Sequence, residues 1–214
     1  MTDNIYLLLI ILVLVIIYIW LRIKQRQADA VHVRTGANGE DYVSRLLSGL
    51  SPEYHTFNDL LLRHKGHTIQ IDHVVVSSYG VFVIETKNFR GDIYGTFSDK
   101  MWLQVFRGKR RRFYSPIRQN FRHTVALSDV CGIKTSKIYS IIVFVGRCEL
   151  HLKDVNNTVL SKDLLEYIQK FLQQRLSDGD VEFVCRRLER KNITSKYIRR
   201  CHQVYANRIK NKYG

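Results

Sequence analysis

Three charged residues interrupt two strongly apolar segments in the first half of the sequence. Asp72 stands in IQIDHVVVSS, and Glu85 and Lys87 stand in GVFVIETKN. The β-branched and apolar residues predict two strands, and Ser77-Ser78-Tyr79-Gly80 supplies turn residues between them. Carboxylates can ligate a divalent cation, and a nearby lysine can hold a phosphate or an attacking water. The residue types are therefore those that could bind a divalent cation together with a phosphate or a water.

The spacing of the two strands predicts which side chains meet. If Val76 pairs with Val81 in an antiparallel hairpin, Asp72 faces Glu85, with Cβ atoms about 4.5–5.5 Å apart. Two carboxylates at that distance repel unless a cation lies between them, and hard cations such as Mg²⁺ prefer carboxylate oxygens. An edge hairpin with solvated polar ends, or a plain network of ion pairs, is the alternative explanation.

Two predicted helices carry further polar residues. On a helix over residues 38–47, Glu40 shares a face with apolar side chains. Ser115-Pro116 predicts the start of a second helix, which reaches about residue 130, because proline is favoured at the first helical position. Gln119 and His123 lie four residues apart on that helix and face the same way. His123 is a candidate for contact with a phosphate.

The remaining segments predict alternating strands and helices. A continuous apolar run at 138–145 predicts a buried central strand. Ser161 predicts the start of a helix that runs to about residue 176. Further strands are predicted at 54–58, 92–97, 101–106 and 110–114.

An ordered set of motifs resembles a known family. The set consists of Gly39-Glu40, Ile71-Asp72-His73-Val74-Val75-Val76, Gly80-Val81-Phe82-Val83-Ile84-Glu85-Thr86-Lys87-Asn88, Gly91, Trp102, Pro116 and Gln119-Asn120. Asp72 with Glu85-Thr86-Lys87 resembles the PD-(D/E)xK nuclease core. The whole set, over residues 33–145, resembles the nuclease-related domain (NERD) family. The strict nuclease motif has proline before its first Asp, whereas this chain has Ile71.

This resemblance implies an α/β fold of the restriction-endonuclease-like type, in which helices flank a mixed β-sheet core. Asp72, Glu85 and the backbone carbonyl of Thr86 would ligate Mg²⁺ or Mn²⁺, and Glu40 would complete the acidic cluster. Lys87 would orient water and stabilise the pentavalent phosphorus. The catalytic set implied by the resemblance is Glu40, Asp72, Glu85, Lys87 and Gln119.

The composition favours a polyanionic partner. The formal net charge is +15 and the isoelectric point is about 9.8, which suits nucleic acid or an anionic membrane. A basic loop next to aromatic residues predicts phosphate contacts and base stacking, with DNA favoured over RNA. A solvated hairpin tip is the alternative. The basic residues of this loop are Arg107, Lys109, Arg110, Arg111 and Arg112.

The N-terminal segment predicts a membrane anchor. Residues 5–21, IYLLLIILVLVIIYIWL, contain no charge, and the positive residues follow the segment. We therefore expect one transmembrane helix within residues 1–22, with the N-terminus outside and the catalytic domain cytoplasmic. A cleaved signal peptide and a buried helix are the alternatives. Residues 23–35 are expected to form a juxtamembrane linker.

The rest of the chain is expected to form a nuclease-related domain at 36–150 and a helical, basic extension at 151–214. Residues 186–212 carry ten lysines or arginines and one acid. An amphipathic helix there could contact nucleic acid or anionic lipid. The leading hypothesis is a membrane-anchored, metal-dependent nuclease. The alternative is a membrane-tethered nucleic-acid-binding or scaffold protein with a nuclease-like fold and little or no cleavage.

Overall fold

The structure is a computed structural model that describes the backbone of residues 2–213 and the side chains of residues 11–23 and 37–208. The chain divides into two compact units, Met1–Asn38 and Gly39–Gly214. The helices are α1 Thr2–Leu47, α2 Pro116–Cys131, α3 Leu164–Gln169, α4 Asp178–Lys191 and α5 Lys196–Tyr213. The strands are β1 His55–His64, β2 His67–Ser77, β3 Gly80–Lys87, β4 Gly91–Thr96, β5 Met101–Phe106, β6 Lys109–Tyr114, β7 Ile138–Phe144, β8 Cys148–Lys153 and β9 Thr158–Leu160.

The first unit carries a run of exposed apolar side chains. Residues 11–21 are all large and apolar, and their relative exposures lie between 46% and 59%. Within the described residues, no helix has both the length and the apolar character required to cross a membrane. The predicted span also includes residues 5–10, whose side chains lie outside the described part. Residues 23–35, the predicted linker, continue the backbone of α1.

The larger of two sheets has the strand order β1-β2-β3-β7-β9. Strand β2 is antiparallel to both β1 and β3, and β7 and β9 run parallel to β3. The hairpin register predicted from the sequence is confirmed, because Val76 pairs with Val81 and Val74 with Val83. Strand β3 is buried along nearly its whole length, since both faces of the sheet are covered.

A smaller sheet has the order β6-β5-β4-β8. Strands β4, β5 and β6 form an antiparallel set, and β8 is parallel to β4. The predicted α/β class, with helices flanking a mixed sheet, is confirmed, but the structure has two mixed sheets where one was expected. The second sheet arises because the chain enters it twice, once after β3 and once after β7.

The two crossings from one sheet to the other run side by side. Lys87 pairs with Phe144 at the end of the larger sheet, and Gly91 pairs with Cys148 at the start of the smaller one. We call residues 87–91 and 144–148, where the chain passes between the sheets, the joint. The paired residues are 57 positions apart in the sequence at both of its ends. The Val145 N–H donates to the Lys87 carbonyl at 2.9 Å, and the Gly91 N–H donates to the Arg147 carbonyl at 2.9 Å. The backbone at the end of β3 is therefore held firmly.

Helices cover both faces of the larger sheet. Helices α2 and α4 pack on one face around Val81, Val83 and Leu127. The last turns of α1 and helix α3 pack on the other face around Phe82 and Ile84. Each face of β3 thus belongs to a different apolar core, which explains its continuous apolar sequence.

The C-terminal third is less helical than the sequence suggests. The boundary predicted at residue 150 lies inside β8, and β9 joins the larger sheet. Apolar residues of α4 enter the same core as α2. The predicted helix from Ser161 to about residue 176 is wrong in extent, because α3 ends at Gln169. The chain then turns so that the N–H groups of Arg175 and Leu176 bind the Ser78 carbonyl.

We expect Gly146→Ala to destabilise the fold by about 3 kcal/mol. A Cβ at this position would lie 1.7 Å from the Phe89 carbonyl oxygen, and both groups belong to the backbone at the joint. Urea unfolding followed by circular dichroism measures the loss. Gly179→Ala is the matched control, because a Cβ there would meet Ser177 Oγ at an ordinary 3.9 Å and alanine should stabilise α4 by about 0.5–1 kcal/mol. Equal stability of Gly146→Ala and Gly179→Ala would contradict the close packing of Gly146 against the Phe89 carbonyl.

Candidate active site

The end of β3 brings Glu85 and Lys87 to one buried place. Glu85 is 2% exposed, and the Lys87 ammonium donates directly to its Oε1 atom. The same ammonium donates to Oε1 of Gln119 on α2 at 3.0 Å. Three of the predicted catalytic residues therefore form one connected group, in which Lys87 bridges a carboxylate and a side-chain amide.

Asp72 joins this group through the backbone of β3. The ladder pairing of β2 with β3 ends at His73 and Ile84, one position before the two acids. Beyond that point the Asp72 Oδ2 atom accepts a hydrogen bond from the Thr86 N–H at 2.8 Å. The side chain of Asp72 thus fills the place of a ladder hydrogen bond, and its carboxylate lies against the Glu85-Thr86-Lys87 segment.

Crowded negative charge dominates the electrostatics of the group. Although the Asp72 residue keeps some accessible surface, burial of its carboxylate is the largest cause that raises its pKa well above the usual range. Repulsion from Glu85 and then from Glu40 raises the pKa of Asp72 further, whereas Lys87 and the Thr86 N–H oppose the shift. The predicted acids are therefore close enough to repel one another.

Gly39 allows α1 to approach the end of β3. A Cβ at Gly39 would lie 2.9 Å from the Cβ of Asn88, the residue that follows Lys87. Any larger residue would push the helix away from this strand. The next residue is Glu40, so the close approach explains why a Gly-Glu pair precedes the helix end and how Glu40 comes within electrostatic range of Asp72.

His123 lies on the other side of Glu85. Its Nδ1 atom is 3.3 Å from Glu85 Oε2, and both residues are buried. Within the described part of the chain, neither of these two atoms has a hydrogen-bond partner of good geometry. Burial lowers the pKa of His123 and outweighs the attraction of Glu85, so the ring is neutral at neutral pH. An unpartnered carboxylate oxygen is consistent with a cation ligand.

Asn120 positions α2 and was not assigned a role from the sequence. It is fully buried, and its Nδ2 group donates to the carbonyls of Val83 and Ile141 and to Ser140 Oγ. These contacts attach α2 to both β3 and β7 one residue after Gln119. The sequence carries no signal for this role, because the carbonyls that Asn120 binds belong to strands before and after α2 in the chain.

A further structural contact outside the predicted set involves Asp59, which lies opposite Asp72 in the register of β1 and β2. Asp59 falls between the paired residues on β1 and has a positive φ of 51°, which aspartate tolerates better than most residues. Arg199 of α5 donates to the Asp59 carboxylate at 2.7 Å and to its carbonyl at 2.9 Å. Helix α5 thereby holds the distorted part of β1 beside the acidic group.

The predicted nucleic-acid-binding residues separate into two places. His123 lies with the acids, whereas the basic loop forms the β5–β6 hairpin of the smaller sheet. Arg107 and Gly108 both have positive φ, as a tight turn requires. The basic side chains are exposed, and within the described residues none of them contacts the acidic group. They are Arg107, Lys109, Arg110, Arg111 and Arg112.

A different cluster could also hold a cation. Ligand atoms of Asp92, Glu149 and His151 all lie within 4.8 Å of one another on the smaller sheet. The His151 Nε2 atom is 3.1 Å from Asp92 Oδ1, and Glu149 and His151 are exposed. Sequence reasoning missed this cluster, because the parallel pairing of β4 with β8 joins residues 57 positions apart.

Comparison with known proteins decides the family. The model of the nuclease-related domain matches residues 35–145, just over half of the 214 residues. The chain belongs to the nuclease-related domain family. This NERD protein is also 32% identical over 178 residues to an uncharacterized protein of Bacillus anthracis, a match that covers 80% of this chain and 84% of that protein. No solved structure is significantly similar to the chain.

The NERD match begins before Glu40 and ends after β7, so it includes every residue of the acidic group together with Gln119 and His123. It leaves out β8, β9 and the C-terminal helices. The resemblance seen in the sequence is therefore confirmed at the level of the family, and the roles of the individual residues stay predictions.

We expect Asp72→Asn to stabilise the metal-free protein at neutral pH. The raised pKa of Asp72 means that the folded state favours its protonated form, so stability is lost as pH rises from about 4 through the folded pKa. Asparagine removes that charge and keeps an oxygen that can accept the Thr86 N–H. Thermal unfolding in EDTA at pH 5 and pH 8 tests this expectation.

The stabilisation should be larger at pH 8 than at pH 5. Asp163→Asn, at an exposed position, is the control and should change the melting temperature equally little at both pH values. A variant Asp72→Asn that is less stable than the wild type at pH 8 would contradict the crowding of buried charge.

Proposed function

We propose that this NERD protein is a divalent-metal-dependent nuclease that hydrolyses phosphodiester bonds of nucleic acid, with DNA favoured. The observation that carries the proposal is the convergence of Asp72, Glu85, Lys87 and Gln119 at the end of one buried strand. A site with a restriction-endonuclease-like arrangement is consistent with this convergence. A protein that only bound nucleic acid would gain nothing from carboxylates buried against each other.

The residues present suit a hard cation. Asp72 and Glu85 offer carboxylate oxygens, the Thr86 carbonyl is a further oxygen donor, and Glu40 adds negative charge. Among the described residues the Oε2 atom of Glu85 has no hydrogen bond of good geometry, so this buried oxygen could ligate a cation. Bound Mg²⁺ or Mn²⁺ would lower the pKa of a water and neutralise charge on the phosphate. The cation would also relieve the repulsion that raises the pKa of Asp72.

Side chains of the protein would supply the remaining contributions to hydrolysis of the phosphodiester bond. The oxygen of a water bonds to phosphorus and the water gives up a proton, while the bond from phosphorus to one sugar oxygen breaks and that oxygen takes a proton. The Lys87 ammonium, steered by Gln119, would stabilise negative charge on the phosphoryl oxygens. Neutral His123, next to Glu85, could hold a proton at Nδ1 or bind a phosphoryl oxygen. The β5–β6 hairpin would add contacts to phosphates of the substrate.

We expect Glu85→Gln and Lys87→Ala each to lower cleavage roughly 100-fold or more. Both variants remove charge that acts on the reacting phosphate. Full-length protein in mild detergent is incubated with supercoiled plasmid, linear duplex DNA, single-stranded DNA and RNA, in Mg²⁺, Mn²⁺ or EDTA. Gel electrophoresis measures the products, and circular dichroism checks the fold of each variant.

An exposed pair provides the matched control. Glu166 and Lys170 form an ion pair one helical turn apart on the surface, so Glu166→Gln and Lys170→Ala remove the same charges away from the site. These controls should cut within twofold of the wild type. Metal-dependent cutting that survives Glu85→Gln and Lys87→Ala would reject this site. Binding without cutting by the wild type would favour a nucleic-acid-binding function instead.

The N-terminal segment supports the further proposal of a membrane anchor. The uncharged sequence from residue 5 to residue 21 and the exposed apolar side chains of residues 11–21 both suit a lipid environment. Arg22 packs over the Tyr18 ring and donates to its hydroxyl at 3.0 Å, and tyrosine is enriched at membrane interfaces. The catalytic domain would then be cytoplasmic, and the basic α5 could contact anionic lipid.

We expect the full-length protein to stay with membranes after an alkaline carbonate wash. Leu14→Lys with Val15→Lys should release it, because each lysine at the centre of a span costs about 2.5–3.5 kcal/mol. Leu172→Lys, at another exposed apolar position, should leave it bound.

An impermeant maleimide should label exposed Cys201 only after the cells are opened. Labelling in intact cells would reject the cytoplasmic orientation, and wild-type protein released by carbonate would reject the span.

A further inference from the structure

The outward face of the smaller sheet carries a cavity that the proposed cleavage site does not use. Its volume is about 880 Å³. Alternation along the strands sends Ile93 and Trp102 to the inner face, where they pack in a core, and sends Tyr94 and Leu103 outward. None of the acidic residues near Asp72 lines this cavity. It is therefore a separate surface on the same unit.

Two aromatic rings are already stacked in the cavity. Tyr94 and His151 are neighbours in the parallel pair of β4 and β8, with ring centroids 4.6 Å apart and planes inclined by 11°. Tyr94 is 41% exposed, although it lies in the middle of a sheet face. The Asp92 carboxylate is 3.1 Å from His151 Nε2 and orients that ring. Fixed, exposed rings can stack on a base with little loss of side-chain entropy.

Basic residues outnumber acidic ones in the lining of the cavity. Four basic residues line the cavity, and within the described part of the chain none of the four takes part in an ion pair. Asp99 is the acidic residue in the lining, and its carboxylate accepts the Thr96 N–H at 2.8 Å. The surface is thus suited to a polyanion. The basic residues are Lys100, Arg110, Arg112 and Lys153.

The register of the hairpin divides its basic residues between two faces. Arg112 pairs with Leu103 and Arg110 with Val105, so both arginines lie on the outward face that holds Tyr94. Lys109 and Arg111 alternate with them and share the side of Phe113, which is buried in the inner core. Arg110 and Arg112 therefore lie on the same face of the sheet as the Tyr94–His151 pair, whereas Lys109 and Arg111 do not.

We propose that this cavity binds single-stranded nucleic acid, with an unpaired base on the Tyr94–His151 pair and phosphates on Arg110 and Arg112. Bases inside a duplex already stack on one another, so an aromatic platform favours unpaired bases. An anionic lipid surface would use the arginines but would gain nothing from stacked rings. The inference rests on the proposed function, because it names the form of nucleic acid that the nuclease holds.

Binding of short oligonucleotides tests the proposal. Full-length protein in mild detergent and EDTA is titrated into fluorescein-labelled oligo(dT), oligo(rU) and a DNA duplex, each of about 12 nucleotides or base pairs. Tyr94→Ala should weaken oligo(dT) binding fivefold or more and leave duplex binding within twofold. Tyr94→Phe should restore the affinity, because phenylalanine keeps the ring. The oligo(rU) titration shows whether the site accepts RNA as well.

The arginines are tested by the salt dependence of binding. Arg110→Ala with Arg112→Ala should reduce the slope of log affinity against log salt by about 1.4 for a single strand. Lys134→Ala with Lys162→Ala removes the same charge from other exposed positions and should leave the slope unchanged. Single-strand affinity that is unaffected by Tyr94→Ala would overturn the platform.

The two proposals fail in different ways. If the wild type cleaves nucleic acid but Tyr94→Ala does not weaken single-strand binding, the aromatic binding site is rejected and the nuclease proposal stands. Binding that depends on Tyr94 without any cleavage would remove the nuclease and leave the platform. Absence of binding to every oligonucleotide would overturn the platform as well, whatever the plasmid assay shows.

Discussion

Buried negative charge at the end of β3 is the constraint that organises the candidate site. A carboxylate in a low-dielectric place is costly unless positive charge or hydrogen-bond donors surround it. Here the Lys87 ammonium and the Thr86 N–H supply part of that compensation, and the raised pKa of Asp72 shows that it is incomplete. A fold built only for stability would place leucine or valine there, as it does along the rest of this strand.

The surrounding elements serve to hold this unfavourable arrangement in place. Asn120 fastens α2 to two strands, Gly39 lets α1 come close to Asn88, and the joint between the sheets fixes the backbone after Lys87. Each of these contacts acts on backbone rather than on the acids themselves. The position of the charged side chains is therefore set by a rigid scaffold, as catalysis by oriented groups requires.

Local patterns in the sequence carried most of the fold and of the site. The hairpin register followed from alternation and from the turn at residues 77–80, and β5 was predicted with its observed ends. The end of the helix predicted from Ser161 was wrong, because α3 ends at Gln169. Ser177-Asp178-Gly179-Asp180 looks like a loop, yet Ser177 and Asp180 form a reciprocal N-terminal cap for α4.

Long-range pairing was beyond the reach of sequence patterns. The division into two sheets, the short β9 and the grouping of Tyr94 with His151 all depend on parallel contacts between segments far apart in the chain. The role of Asn120 likewise depends on carbonyls of strands that precede and follow it. Motif resemblance identified the catalytic candidates but could not place the basic hairpin on a different sheet from them.

The bond between Arg199 and Asp59 spans 140 residues, and this has a consequence for how the chain comes to its final form. Contacts with such separation in sequence form late, because a long loop must close before they are made. A chain still emerging from the ribosome lacks this contact until α5 has been made. The distorted stretch of β1 opposite Asp72 is thus without the Arg199 hydrogen bonds until that point of synthesis.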